Sequence, residues 1–103
     1  PDVLIPSRAA YEDPNYPTKK LFAVPVKTTL KDRWGQVLKE APRLKKKYLM
    51  TIQPGLSAAL LNRMAKQGIT LVVPRETKAE YPPSDMEILS VEEFIALVKE
   101  QLK

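Results

Sequence analysis

The sequence contains no cysteine and no histidine among its 103 residues. Without cysteine, neither disulfide bonds nor thiolate metal sites can form, and nothing suggests secretion. Without histidine, serine–histidine and cysteine–histidine catalysis is excluded, and so are zinc sites with imidazole ligands. A metal ion in this chain must therefore be held by oxygen ligands, which favours magnesium, calcium or manganese.

Long apolar runs, internal repeats and low-complexity segments are also missing. No apolar run approaches the roughly 20 residues that a transmembrane helix needs, and no signal peptide is visible. We therefore expect a cytoplasmic protein. Its length indicates one domain, which buries roughly 65% of the surface of the unfolded chain, enough for one modest core.

Positive charge is in excess, with a formal net charge of +5. The basic residues concentrate between Lys19 and Lys47. Such a surface permits an anionic partner, and nucleic acid is the commonest one. A solvated basic face explains the same charge equally well.

The hydrophobic pattern predicts strands that alternate with helices. Strand-like apolar segments cover residues 1–6, 21–27, 48–52 and 69–73, and Pro25 predicts a bulge or an edge position in the second of them. Helices are predicted over about 31–41, from the N-cap Ser57 to 67, and from the capping box of Ser90 and Glu93 onwards, with 7–20 and 75–87 as loops. The alternation indicates an α/β fold with a mostly parallel or mixed sheet.

The segment from Lys27 to Glu40 joins the second strand to the first predicted helix. Lys27 ends the strand, and Thr29 or Asp32 begins the helix. Glu40 follows about three turns along, at roughly 3.6 residues per turn. It flanks the apolar stripe and can face back toward the sheet. The stripe consists of Leu30, Trp34, Val37, Leu38 and Ala41. A lysine and a glutamate placed in this way can share one small pocket.

Asp2, on the first strand, completes a group of two carboxylates and one lysine near adjacent strand ends. This set suits metal-assisted phosphodiester hydrolysis, in which the carboxylates of Asp2 and Glu40 hold magnesium. Lys27 would position the attacking water or neutralise charge that develops in the transition state. As a bare pattern, these common residue types are better explained by solvated surface positions.

Pro1-Asp2, Lys27 and, thirteen residues later, Glu40 resemble the PD-(D/E)XK nuclease superfamily. The similarity is to the variant whose second carboxylate lies on the following helix, because Pro25 occupies the usual acidic position. Longer segments resemble the catalytic domain of EcoRII-like type II restriction endonucleases. These segments are 1–7, 11–17, 27–34, 68–74 and, at the end of that domain, 88–95.

The resemblance implies a restriction-endonuclease-like α/β fold, with a central mixed sheet of about four to five strands flanked by helices. Residues 1–103 would form a single catalytic core without the helical portion that precedes it in the family. The implied activity is magnesium-dependent, sequence-specific cleavage of double-stranded DNA, with manganese as a substitute. A homodimer is implied, since cleavage of a palindrome requires two active sites related by two-fold symmetry.

The resemblance also assigns the catalytic residues. Asp2 and Glu40 would be the metal ligands, and Lys27 the catalytic lysine. Tyr11 matches a tyrosine close to the active site, although packing within a loop explains that residue equally well.

The same resemblance places Lys31, Asp32 and Arg33 in the segment that reads G·C pairs in the major groove. Arginine donates to guanine O6 and N7, and a carboxylate accepts from cytosine N4. Thr28 and Thr29 would contact phosphate, with helix capping as the simpler alternative. For Lys31, Asp32 and Arg33 the simpler alternative is the stronger one, with Asp32 as a helix cap and the two basic residues in a solvated first turn.

Trp34 lies on the apolar stripe and is expected in the core, and residues 45–47 are expected in a solvated turn.

Two other interpretations of the whole chain stay open at this point. In place of an endonuclease, the chain could be a DNA-binding module that no longer cuts, or a small α/β interaction domain without a nucleic-acid partner.

Overall fold

The computed structural model describes residues 3–28, 30, 34–39, 42–44 and 46–103. Its strands are β1 (Val3–Ile5), β2 (Phe22–Val24), β3 (Lys47–Met50), β4 (Ile69–Val73) and β5 (Ile88–Ser90). Its α-helices are α1 (Arg8–Glu12), α2 (Ala58–Lys66), α3 (Arg75–Lys78) and α4 (Val91–Gln101). Two short 3-10 helices cover Thr18–Lys20 and Trp34–Lys39.

Strand β4 is the centre of a three-stranded parallel sheet, with β3 on one side and β5 on the other. Its five residues are all buried. A continuous β-branched and apolar run is typical of a parallel strand that is covered on both faces. The predicted strand over 69–73 is therefore confirmed.

Strands β1 and β2 form a separate antiparallel pair, in which Val3 lies opposite Val24. Beyond β2 the chain turns to β3, and Val26 makes a parallel bridge with Met50. The Met50 N–H donates to the carbonyl of Pro25, and the Lys27 N–H donates to the carbonyl of Met50, both at 2.9 Å. Pro25, which has no N–H, thus lies where β2 ends and pairing passes to β3.

The two faces of the parallel sheet bury different helices. On one face, α2 packs Leu61 and Met64 against Leu49 and Leu71. On the other face, α4 packs Phe94 and Val98 against an aromatic group from β2 and β3. Rings of Phe22, Tyr48 and Phe94 lie with centroids 5.1–5.8 Å apart. Because Phe22 belongs to one sheet and Tyr48 to the other, these rings join the two sheets on the side that α4 covers.

Both long helices begin at the predicted caps. The Ser57 Oγ accepts from the Leu60 N–H at 3.2 Å, and Ser90 and Glu93 form the complete capping box. Gly68, with φ of 80°, follows the end of α2. Of the apolar residues along α4, Phe94 and Val98 are buried, whereas Ile95 is 46% exposed.

Four short elements were missed in the sequence. The predicted loop over 7–20 contains α1, whose N-cap Ser7 accepts from the Ala10 N–H at 3.1 Å, and the first 3-10 helix. The predicted loop over 75–87 contains α3, and 88–90 form β5. Elements of three to five residues are too short to show a hydrophobic period. The serine cap of α1 was the one available local signal.

The predicted helix over 31–41 is also corrected. Within the described residues, Trp34–Lys39 form a 3-10 helix in which Val37 is buried and Trp34 packs against the core, as expected of it. Gly35 disfavours an α-helix at this point, and a 3-10 turn places residues three apart on one side. The rest of that predicted helix lies outside the described residues.

Candidate active site

The carboxyl ends of four chain segments meet at one edge of the molecule. The Val26–Met50 bridge is parallel, and β3, β4 and β5 are parallel to one another. Lys27 therefore emerges at the same edge as the end of β3. Ligand sites of open α/β sheets lie at this edge, outside the carboxyl ends of the strands.

Lys27 holds its place through the backbone, by its hydrogen bond to the Met50 carbonyl. Its side chain is half-buried, and the following Thr28 is exposed. A lysine fixed by a strand ladder and open to solvent can present its ammonium group to an anion. The structure thus places two of the predicted site residues, Lys27 and Thr28, next to each other at the carboxyl edge.

Leu30 anchors the chain just beyond Lys27. Its side chain is fully buried in the core beneath the sheet, and its carbonyl accepts from the Trp34 N–H at 3.2 Å. Its own N–H donates to Oε1 of Gln53, at 2.9 Å. Gln53, three residues after the end of β3, was not singled out in the sequence.

Tyr11 lies in another environment, against the outer face of the β1–β2 pair. It packs in a cluster with Leu21, Ala23 and Leu44. The guanidinium of Arg43 donates to the Tyr11 carbonyl and lies 6.0 Å from the centre of its ring. This is the loop-packing environment expected as the alternative, and a role for Tyr11 near the reaction stays a prediction.

Arg43 ties the segment after α1 to the rest of the molecule. It donates to the carbonyl of Asp13 at 2.9 Å and to that of Tyr16, in addition to that of Tyr11. One arginine with several donors can satisfy several carbonyls of an irregular segment at once. No local signal in the sequence pointed to this role, because the carbonyls are about thirty residues away.

The other predicted site residues lie outside the described part of the chain. They are Asp2, Thr29, Lys31, Asp32, Arg33 and Glu40. The described residue next to Asp2 is Val3, whose partner Val24 precedes Lys27 by three positions. The β1–β2 pairing thus brings the start of β1 close to the end of the strand that carries Lys27.

Among the described residues, no three acidic side chains come together in a way that could hold a metal ion. The two predicted ligands, Asp2 and Glu40, are not among these residues. Magnesium binding therefore stays a prediction. Within the same residues, no helix is long and apolar enough to cross a membrane.

Comparison with known proteins gives a consistent result. Residues 1–95 match the family model described as EcoRII C terminal. The chain is 41% identical over 97 residues to the type II restriction enzyme EcoRII of Escherichia coli. The aligned region covers 93% of this chain and 24% of that enzyme.

The fold is also that of solved restriction enzymes. Two structures of metal-depleted Ecl18kI, one with uncleaved DNA and one with uncleaved, modified DNA, superpose with a TM-score of 0.68. In each case the superposed region covers 80% of this chain and 29% of the Ecl18kI chain, and the two sequences are 24% identical. This likeness confirms the expected restriction-endonuclease-like α/β fold. The chain spans about a quarter of the length of EcoRII and of Ecl18kI, and it belongs to the EcoRII C-terminal family.

Proposed function

We propose that this chain is a magnesium-dependent, sequence-specific endonuclease for double-stranded DNA, of the type II restriction class, or the catalytic core of one. The observation that carries the proposal is the position of Lys27 at the carboxyl edge of the sheet, in a chain of the EcoRII C-terminal family. The enzyme at 41% identity bears the name of a type II restriction enzyme, and the solved relatives hold DNA.

Phosphodiester hydrolysis needs compensation for the negative charge that develops on the phosphate. In the proposed site, the Lys27 ammonium supplies part of that compensation from the end of the strand ladder. The carboxylates of Asp2 and Glu40 would hold magnesium, for which hard oxygen ligands are suitable, and manganese could replace it. When bound, the metal polarises a phosphoryl oxygen and activates water.

The pairing of β1 with β2 supports this set of residues. Since Val3 lies opposite Val24, the start of β1 lies beside the end of β2, three residues before Lys27. Tyr11 is proposed as a residue beside the site. This role rests on the family resemblance, because the ring packs with Leu21, Ala23 and Leu44.

Recognition of DNA is proposed for the residues that follow Lys27. Lys31, Asp32 and Arg33 carry the donors and the acceptor that read G·C pairs in the major groove. Thr28, which is exposed, and Thr29 would contact phosphate. A palindromic site would engage a homodimer, with one active site for each strand.

A DNA-binding module that does not cut is the second candidate. The net charge of +5 favours it, because attraction to phosphate needs only positive charge and no catalytic set. The two candidates share the fold and differ in one property, which is hydrolysis in the presence of metal.

The test is incubation of unmethylated plasmid or phage DNA with the purified chain, in magnesium, manganese or EDTA, followed by electrophoresis. We expect discrete bands that require the metal. Lys27→Ala should lower the cleavage rate by about 100-fold or more, the range found when one group that stabilises developing charge is removed. Lys66→Ala is the matched control, because this exposed lysine ends α2 at the opposite edge.

The other outcomes separate the candidates. Binding without cleavage, weakened by salt, would support the second candidate. No binding at low salt would contradict both and favour the interaction domain. Undiminished cleavage by Lys27→Ala would remove Lys27 from the catalytic set.

A further inference from the structure

We infer that Gln53 is a positioning residue of the proposed site, whose side-chain carbonyl holds the segment after Lys27 in place at Leu30. The inference deepens the proposed function and rests on it for the meaning of that segment. The hydrogen bond itself stands on geometry alone, from the Leu30 N–H to Oε1 of Gln53 at 2.9 Å.

The Gln53 side chain continues a ladder that the backbone begins. Between the two chain segments, the Met50 N–H donates to Pro25 and the Lys27 N–H donates to Met50, both at 2.9 Å. The Thr51 N–H points to the other side and donates to Val72 of β4, as successive residues of a strand do. Among the described residues, the next hydrogen bond between the two segments runs from the Leu30 N–H to Gln53. There a side-chain amide oxygen takes the place of a backbone carbonyl as the acceptor.

The bond is made at a fully buried residue. Leu30 is 0% exposed, so its N–H cannot turn to water for a partner. A buried amide without an acceptor is unfavourable, and nearly all such groups in native proteins are paired. Loss of the Gln53 acceptor should therefore displace the backbone at Leu30 or open it to solvent.

Both backbone polar groups of Gln53, its N–H and its carbonyl, are hydrogen-bonded. Its N–H donates to Oγ1 of the buried Thr51 at 3.1 Å, and its carbonyl accepts from the hydroxyl of Tyr81. Burial and the nearby Glu80 raise the pKa of Tyr81, which keeps this hydroxyl protonated as a donor. The backbone that carries the acceptor for Leu30 is thus fixed by Thr51, directly after β3, and by Tyr81 in the segment after α3.

Leu30 has a central place in the proposed site. It lies three residues after Lys27 and directly before Lys31, and its carbonyl accepts from the Trp34 N–H. A shift of the backbone here would move the segment proposed to read DNA relative to the catalytic lysine. Misplacement of about 1 Å can cost about 100-fold in rate.

The experiment compares Gln53→Met with Gln53→Glu. Methionine keeps the length of the side chain without the acceptor, and glutamate keeps an acceptor oxygen. Gln67→Met is the control, because Gln67 is exposed at the end of α2. Amide hydrogen exchange of Leu30 is measured by NMR on the isotope-labelled chain, together with the fluorescence of Trp34, the single tryptophan.

In Gln53→Met, we expect exchange at Leu30 to rise at least about tenfold, in line with loss of a buried hydrogen bond, while β4 amides keep their protection. Gln53→Glu and Gln67→Met should leave Leu30 protected. In the cleavage assay, kcat of Gln53→Met should fall by about 10- to 100-fold, and KM should change by less than kcat does. The reason is that a positioning residue does not touch the substrate.

The outcomes distinguish the inference from the function on which it rests. Unchanged Leu30 exchange in Gln53→Met would overturn the inference whether or not the chain cuts DNA. Failure of the unsubstituted chain to bind or cut DNA would overturn the proposed function and leave the exchange result valid. If Gln53→Met does not fold, Gln53→Asn replaces it, because the shorter side chain withdraws the acceptor oxygen from Leu30. A folded Gln53→Asn chain with unchanged Leu30 exchange would then contradict the inference.

Discussion

The two halves of this chain are stabilised in different ways. Residues 46–103 contain β3, β4 and β5 in one parallel sheet, with α2 and α4 on its two faces. The described residues before 46 contain the β1–β2 pair, short helices and the segment after Lys27. There, Arg43 and Gln53 join stretches of chain that lie 23 to 32 residues apart.

This difference shows which contacts hold the part of the chain that carries the proposed site. The C-terminal half is held by many apolar contacts, and the loss of one of them is a loss of stability. The N-terminal half carries Lys27. The residues of β2 and Leu30 are buried as well, but the irregular segments of this half depend in addition on a few polar contacts over long distances in sequence. Such contacts can fail one at a time, so local opening is expected there first.

The largest effect is expected in the C-terminal half, from Leu71→Ala. Leu71 is fully buried at the centre of β4. Removal of such a leucine costs about 2–5 kcal/mol, as lost transfer free energy plus a cavity. Urea unfolding measures the change in the free energy of unfolding. Ile95→Ala, at a position 46% exposed, is the control and should cost clearly less. Equal losses would mean that the sheet core is loosely packed.

A smaller and more local effect is expected from Arg43→Met. The substitution leaves the carbonyls of Tyr11, Asp13 and Tyr16 without their donor, at a cost of about 1–3 kcal/mol. Hydrogen exchange should accelerate at residues 7–17 and stay slow in β4. Arg63→Met, on the exposed side of α2, is the matched control. Uniform acceleration through both halves would contradict the division drawn here.

Removal of a helix cap should also lower the free energy of unfolding more in the C-terminal half than in the N-terminal half. Ser90→Ala removes the cap of the eleven-residue α4 and should lower the free energy of unfolding by about 1 kcal/mol. Ser7→Ala removes the same kind of cap from α1, which has five residues. Because α1 lies in the N-terminal half, the global effect of Ser7→Ala should be smaller, with fraying of residues 8–12 instead. The reverse order in urea unfolding would oppose the comparison.

The smallest effect concerns the pH dependence of stability. Hydrogen bonds from Lys78 and from the Ser90 N–H lower the pKa of Glu93 from 4.5 to about 2. A carboxyl whose pKa is lower in the folded state stabilises the fold above its unfolded pKa. That stabilisation is lost as the pH falls from about 4.5 toward about 2.

Glu93→Gln should therefore flatten the acid side of the stability curve. Thermal unfolding midpoints of both chains, followed from neutral pH into this range, measure the difference. Because Glu93 is fully exposed, the effect should be small and should diminish in high salt. Parallel curves for the two chains would show that this carboxylate is not bound as the structure has it.

Much of the C-terminal half was predictable from local sequence. The β-branched run over 69–73, the serine caps at Ser57 and Ser90 and the glycine after α2 each predict an element within a few residues. Where no such pattern exists, prediction failed: α1, α3 and β5 are too short for periodicity, and Gly35 lies in a 3-10 helix.

The sequence by itself determined the kinds of the longer elements in the C-terminal half, the apolar segment before Lys27 and the resemblance that identifies the family. Only the tertiary structure decided that Lys27 shares an edge with the end of β3, that Gln53 accepts from Leu30, and that Arg43 holds the segment after α1. The physical reason is range. Helix caps and strand periods act between residues a few positions apart, whereas the partner of a polar side chain depends on how the packed layers bring distant segments together.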